Sequence, residues 1–170
     1  PAEVAPGVRR VIAENPSKFT YHGTGTYLIG SGSSVAVVDP GPRLDGHLDA
    51  LLRALAGETV TAILVTHCHA DHSPLAARLR EETGAPTYAF GPHGDTGEVD
   101  LGTLPDDFGR PPPDAAGGDT PTNDPPLEEG HDLAFRPDVE CRTGDTVAAG
   151  PGWRVTAIHT PGHTSNHTCF

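Results

Sequence analysis

The sequence predicts a layered α/β fold, and three observations predict it. Apolar segments of strand length alternate with segments whose apolar residues recur at helical spacing. Glycine and proline punctuate the boundaries between them. The apolar segment Ala62-Ile63-Leu64-Val65 also runs directly into Thr66-His67-Cys68-His69-Ala70-Asp71-His72, a run crowded with ligating side chains at the end of a buried strand. At 170 residues the chain is long enough to enclose a core.

Taken in order, residues 27–29 and 35–38 read as two strands joined by the turn Gly30-Ser31-Gly32-Ser33, a hairpin. Asp39-Pro40-Gly41-Pro42 stops the second strand. A helix follows with Asp45 near its N-cap, Leu48, Leu51, Leu52 and Leu55 at i, i+3, i+4 and i+7, and Gly57 placed to end it. Residues 62–65 form the buried strand before the His-rich run. Ser73-Pro74 then supplies an N-cap and a first-turn proline for a helix with Leu75, Ala76 and Leu79 as its inner stripe, ended by Gly84. Residues 86–90 make a short strand. Further on, Thr143-Gly144-Asp145 is a turn, residues 153–158 alternate with strand period, and His159-Thr160-Pro161-Gly162-His163-Thr164 sets a histidine on a turn beyond a strand end. Residues 166–170 read as the start of another strand.

Residues 91–132 interrupt this pattern. They hold eight prolines and eight glycines and few residues that could build a core, so they read as a mobile, disordered insertion in a single domain spanning 1–170. Their end residues His93 and His131 read as solvated. The insertion also holds 11 acidic residues against the single base Arg110, whereas the rest of the chain carries 12 acids and 10 bases. The net charge of −12 therefore belongs mostly to the insertion and says little about the rest of the surface. No basic stripe is present to neutralise phosphates, which disfavours a nucleic-acid partner without excluding one, since bound cations would add positive charge. A small-molecule substrate is expected, the sequence being silent on oligomeric state. No apolar run reaches membrane-span length, so no membrane partner is expected. The start shows no secretory signal, and Cys68, Cys141 and Cys169 lack Cys-x-x-Cys spacing; reduced thiols in a cytoplasm are the expectation.

The chemistry lies in the histidines. In extended chain His67 and His69 point the same way and can grip one metal together. The turn that follows brings Asp71 and His72 back towards the same pocket, where they can hold a second. His163 is the natural third ligand of the first metal. Cys68, by alternation, points away. Imidazole and carboxylate at this density suit zinc, with iron or manganese as alternatives. A three-histidine zinc site with an open position lowers the pKa of its water to about 7, giving a hydroxide nucleophile at neutral pH.

These residues resemble the metallo-β-lactamase superfamily. The motifs that carry the resemblance are Gly23-Thr24-Gly25-Thr26-Tyr27-Leu28-Ile29-Gly30, Val38-Asp39-Pro40-Gly41-Pro42, the His-x-His-x-Asp-His run at 67–72 and Thr160-Pro161-Gly162-His163-Thr164. The resemblance implies an αββα sandwich, of which the chain carries the N-terminal half and the start of the second. It implies two zinc ions per complete site, with His67, His69 and His163 on the first and Asp71 and His72 on the second. Asp71 is also the expected catalytic proton donor, and Asp39 matches a carboxylate that lies behind the site. Within the superfamily the chain is most similar to the hydroxyacylglutathione hydrolase and lactamase-β-like branch. Two departures stand out: Gly25 occupies a position where family members carry Asn, and the family's bridging aspartate and last histidine would fall beyond Phe170. Five of seven ligands are thus present, which implies a chain truncated at its C-terminus or completed by another segment, with weakened activity. The expected function is hydrolysis of a thioester, ester or lactone at a binuclear zinc centre through a metal-bound hydroxide. The alternatives are a lactamase-β-like phosphodiesterase or RNA endonuclease, a mononuclear-iron persulfide dioxygenase, and a non-catalytic, metal-stabilised interaction module.

Overall fold

The structure is a computed structural model in which residues 1–92 and 130–170 are described. Two strands, β1 (Ala2–Ala5) and β2 (Val8–Ile12), open the chain, followed by β3 (Gly25–Ser31) and β4 (Ser34–Val38). Helix α1 (Asp45–Ala54), strand β5 (Val60–Leu64), helix α2 (Ala76–Thr83) and strand β6 (Thr87–Ala89) come next. After the insertion come β7 (Val139–Glu140), β8 (Thr146–Gly150), β9 (Trp153–Thr156), β10 (Ile158–His159) and β11 (Thr168–Cys169).

Strands β1 to β7 lie side by side in sequence order in one sheet. The β1–β4 pairs are antiparallel and the β4–β7 pairs parallel. Parallel neighbours need crossovers, and α1 and α2 supply two of them. At the spine, Val37 lies opposite Ile63 and Val38 opposite Leu64. Both faces of this spine are covered, which is why its strands are continuously apolar instead of alternating. On one face Val35, Val37, Ile63 and Val65 pack with Leu48, Leu51 and Leu55 of the α1 segment and with Leu75 and Leu79 of the α2 segment. On the other, Ala36, Val38, Ala62 and Leu64 pack with Val147, Ala148 and Val155 of the β8–β9 hairpin. Burying each of the larger of these side chains stabilises the fold by about 1.5–3 kcal/mol. The result is three layers, helices on sheet on hairpin, as the alternation of elements predicts.

Some local expectations are corrected. Helix α1 opens at Asp45, but Leu44 is its N-cap residue and no side chain caps it; the Asp45 carboxylate instead pairs with Arg78 of α2. Helix α2 begins at Ala76, so Ser73 and Pro74 lie in the turn before it. Ser73 does not cap the helix because Leu75 is the N-cap residue; its hydroxyl donates instead to Asp132, at 3.0 Å. Gly84 does end α2, in the left-handed conformation that glycine adopts without strain. The β1–β2 pair was not expected, although Pro6-Gly7 between two short apolar segments is a turn signal. Residues 93–129, the bulk of the predicted insertion, and with them His93, lie outside the described residues. Among the described residues no helix is long and apolar enough to cross a membrane.

Candidate metal centre

Parallel pairing carries β5 to the sheet's C-terminal edge, and the chain leaves it at Val65 into the loop 66–75. Two clasps shape that loop. On one side Gly41 N–H donates to the His72 carbonyl at 2.9 Å and Leu75 N–H donates to the Gly41 carbonyl at 3.1 Å. On the other, residues 130–132 run antiparallel to it: Ala70 N–H donates to Gly130 O at 2.8 Å and Asp132 N–H to Cys68 O at 2.7 Å. The second chain segment of the site, 160–167, is tied to the first through Thr168 N–H, which donates to Thr66 O at 2.8 Å, and to the chain just after β6 through Asn166 Nδ2, which donates to Gly91 O at 3.1 Å.

Held this way, His67, His69 and His163 each offer a ligand atom, and the three atoms lie within 4.8 Å of one another. His67 and His69 are buried and His163 is exposed, so the cluster opens to solvent on one side. Nε2 of His67 and Nδ1 of His69 are 3.1 Å apart. Burial, reinforced by His72, His69 and His163 beside it, pushes the His67 imidazole down to about 2, and burial with His163 and His131 pushes His69 down to about 4. Both rings are neutral at pH 7, the form that binds a metal.

Asp71 and His72 form a second group against the first, the His67 and His72 ring centres lying 4.2 Å apart. His72 sits between two carboxylates, with Nδ1 2.9 Å from Asp39 Oδ2 and Nε2 3.3 Å from Asp71 Oδ2. Burial opposes its charge, but the hydrogen bonds and charges of Asp39 and Asp71 overcome that and raise it to about 10. For Asp71 burial acts upward, and is outweighed by His72 and by the Thr24 hydroxyl, so its carboxyl stays below the usual range. Asp39 is the anchor of the whole group. Its carboxylate accepts from Thr66 N–H at 2.8 Å, from the Thr66 hydroxyl at 2.9 Å and from His72. Thr66 Oγ1 is also 2.8 Å from His67 Nδ1, so one carboxylate orients a ring in each group. Asp39 itself adopts φ +50°, a left-handed conformation costing a non-glycine residue roughly 1–3 kcal/mol.

The donor chemistry fits cations. Three converging imidazoles, two of them held neutral by burial, could hold one zinc-like ion, and Asp71 with His72 could contribute to a second, for which His72 would have to give up the Nε2 proton it shares with Asp71. The structure brings together all five residues singled out by the sequence. Cys68 is fully buried and stands apart from the donor cluster, its thiol pushed up to about 11 by burial. The His167 ring lies 5.2 Å from that of His67, with Nδ1 2.8 Å from the Thr160 hydroxyl. His131, read from sequence as solvated, is indeed exposed but lies against His69, ring centres 4.8 Å apart. Asn15 has no signal in the sequence, and Thr24 stands there only as part of a motif, without a role: it reaches Asp71 across 47 residues of chain, a contact that no local pattern signals.

Residues 23–170 match the family model described as "Metallo-beta-lactamase superfamily". Among curated proteins the chain is 29% identical to the "Lactamase-like protein ptaB" of Pestalotiopsis fici, over 99% of this chain and 42% of that one. It is also 29% identical to the "Atrochrysone carboxyl ACP thioesterase dmxR1" of a Cryptosporiopsis species, over 99% of this chain and 40% of that one. The chain thus spans about two fifths of the length of these relatives. Among solved structures, a metallo-β-lactamase of Cronobacter sakazakii with a HARLDQ motif superposes with a TM-score of 0.62 at 23% identity, covering 98% of this chain and 57% of that one, a likeness of fold.

Proposed function

The chain belongs to the metallo-β-lactamase superfamily, and on that premise we propose that its protein is a zinc-dependent hydrolase with a binuclear centre that cleaves an acyl thioester, with esters and lactones as the neighbouring substrates. The observation that carries the reading is the convergence of the His67, His69 and His163 donor atoms within 4.8 Å, flanked by the Asp71–His72 pair. His67, His69 and His163 would hold one zinc, and Asp71 and His72 would contribute to the other. When bound, zinc supplies Lewis acidity towards the substrate carbonyl and lowers the pKa of a water to about 7.

The chain's own residues do the rest. Asp39 and Thr66 orient the His67 and His72 rings. Burial keeps water from the inner histidines, and the exposed edge at His163 leaves room for a small-molecule substrate. Asp71 is held ionised, so at neutral pH its carboxylate takes up a proton before it can give one back. Once protonated, a carboxyl of lowered pKa can give its proton to a thiolate or an alkoxide leaving group alike, so the thioester reading rests on similarity. The relative named an ACP thioesterase supports the same class. All three cysteines are free, which supports a reducing, cytoplasmic setting.

The test is a panel of acyl-thioester, ester and lactone substrates given to the protein that carries this chain, with metal content measured alongside. We expect two zinc ions per site, preference for thioesters, and loss of turnover by at least two orders of magnitude in His67→Ala and Asp71→Ala, in keeping with the roughly 10²–10⁴-fold contribution of general acid–base groups and the dependence of the nucleophile on bound metal. Retained turnover in both variants, or a single iron per site with no hydrolysis, would refute the proposal.

A further inference from the structure

We infer that Asn15 and Thr24 form a positioning pair for Asp71, a directional hydrogen-bond chain that fixes the carboxylate for its cation. The inference rests on the proposal that Asp71 contributes to the second metal. Thr24 Oγ1 lies 2.7 Å from Asp71 Oδ2 in a buried contact. Asn15 faces Thr24 twice, its Oδ1 accepting from Thr24 N–H at 2.9 Å and its Nδ2 donating to Thr24 Oγ1 at 3.0 Å.

These contacts leave one consistent set of proton positions. A backbone N–H only donates, so the amide atom facing Thr24 N must be the oxygen. The nitrogen is then the atom that faces the Thr24 hydroxyl, which accepts from it. The single hydroxyl proton is left for Asp71, which as a carboxylate only accepts. With His72 Nε2 at 3.3 Å, Oδ2 is held between two partners.

The loop between β2 and β3 is shaped to deliver this hydroxyl. Ala13 N–H donates to Thr24 O at 2.9 Å, and the Thr20 hydroxyl donates to Asn15 O at 2.6 Å. Gly23, with φ +125°, lets the chain pass so close to Ala13 that a Cβ would fall 1.9 Å from its carbonyl oxygen. Thr24 and Asp71 are 7% and 5% exposed, so water does not compete for the bond.

The experiment measures zinc retained against a competing chelator, per site, in the protein that carries this chain. Thr24→Val should weaken retention of the second zinc roughly 10–100-fold, the usual effect of losing a hydrogen-bond partner of a metal-binding side chain. The first zinc should stay bound in that variant, which also reports that the fold is intact. Thr24→Ser should restore the second zinc. Asn15→Asp should mimic Thr24→Val although it leaves the hydroxyl in place, because a carboxylate there accepts the Thr24 proton and withdraws it from Asp71. If Asp71→Ala weakens the second zinc but Thr24→Val and Asn15→Asp do not, the positioning pair is refuted. A Thr24→Ser variant as weak as Thr24→Val also refutes it, by assigning the effect to the methyl group's packing. If Asp71→Ala leaves both zinc ions bound, the underlying assignment of Asp71 fails instead, and the inference falls with it.

Discussion

At the scale of single residues, Asp39 shows how one side chain can serve both groups of the site. It is buried, its backbone is left-handed, and its carboxylate holds Thr66 and His72. Asp39→Asn keeps the shape but places an amide N–H₂ among donors, leaving buried hydrogen-bonding groups without acceptors. The expected cost is about 1–3 kcal/mol, read as a fall in the urea midpoint with an unchanged slope. A variant as stable as the parent would show that Asp39 does not anchor the site. The residues legible in the sequence are those whose spacing is local. His67, His69, Asp71 and His72 fall within six positions, and His163 sits on a Pro-Gly turn. The roles of Thr24 and Asn15 were illegible because a threonine and an asparagine are common in loops, and only the fold sets Thr24 beside Asp71 and Asn15 behind Thr24. His131 is exposed as expected, and its place beside His69 was hidden for a related reason. Its neighbour His69 is brought to it by the backbone bridge between 130–132 and 68–70, which the intervening insertion hides from any sequence window.

At the scale of elements, periodicity located helices and central strands well and their ends less well. The stripe Leu48, Leu51, Leu55 and the pair Leu75, Leu79 are buried as expected. The expected caps at Asp45 and Ser73 failed because the N-cap positions fall on Leu44 and Leu75, and the two side chains meet tertiary partners instead, Arg78 and Asp132 respectively. Asp138 makes a tertiary fastening of the same kind. Its carboxylate accepts from Thr87 N–H and the Thr87 hydroxyl, each at 2.9 Å, and from Arg80 Nε at 2.7 Å, joining β6, α2 and the start of β7. The Thr87 backbone N–H first, then the Thr87 hydroxyl and Arg80, hold its carboxyl below the usual range. A folded pKa below the unfolded value of about 3.9 means that the stabilisation is complete above that value and is lost as pH falls through the folded one. Charged hydrogen bonds contribute about 1.5–3 kcal/mol when shielded, and with a third of this side chain exposed about 1 kcal/mol is the reasonable figure. Asp138→Asn should therefore be less stable than the parent at pH 7 and should converge with it only in acid, as pH falls through the lowered folded value of the Asp138 carboxyl. Urea unfolding at pH 7 and in acid checks this, and a difference that persists or widens in acid would assign the loss to something other than the charge.

At the scale of the whole molecule, the sequence's continuous apolar strands foretold a sheet covered on both faces, and the helices and the β8–β9 hairpin are what cover it. The sequence could not foretell how the two ligand-bearing segments are held together. One leaves β5 from the middle of the large sheet, and the other lies between β10 and β11, a separate two-stranded ribbon. Among the described residues, that ribbon is fastened by hydrogen bonds from Thr168 to Thr66, from Asn166 to Gly91 and from His159 N–H to the Thr143 hydroxyl, and by the His159 ring stacked on Phe90. A cation held by His67, His69 and His163 would be a further cross-link between them, and the strongest one. Its removal should therefore loosen the molecule unevenly. At a free-metal concentration a thousandfold above Kd, binding stabilises by about 4.1 kcal/mol, all of it lost on chelation. The ribbon bears more of that loss because the ion joins it directly to the loop after β5, whereas β4 and β5 keep both of their packed faces. Hydrogen exchange on the zinc-loaded and chelated protein should show protection falling in 66–73 and 158–169 by at least tenfold, roughly the 1.4 kcal/mol that the cross-link needs to exceed to dominate the local opening. Residues 35–38 and 60–64 should exchange at nearly unchanged rates. A uniform loss across the sheet would mean that the metal stabilises the fold globally, and no loss at the ribbon would mean that His163 does not share an ion with His67 and His69.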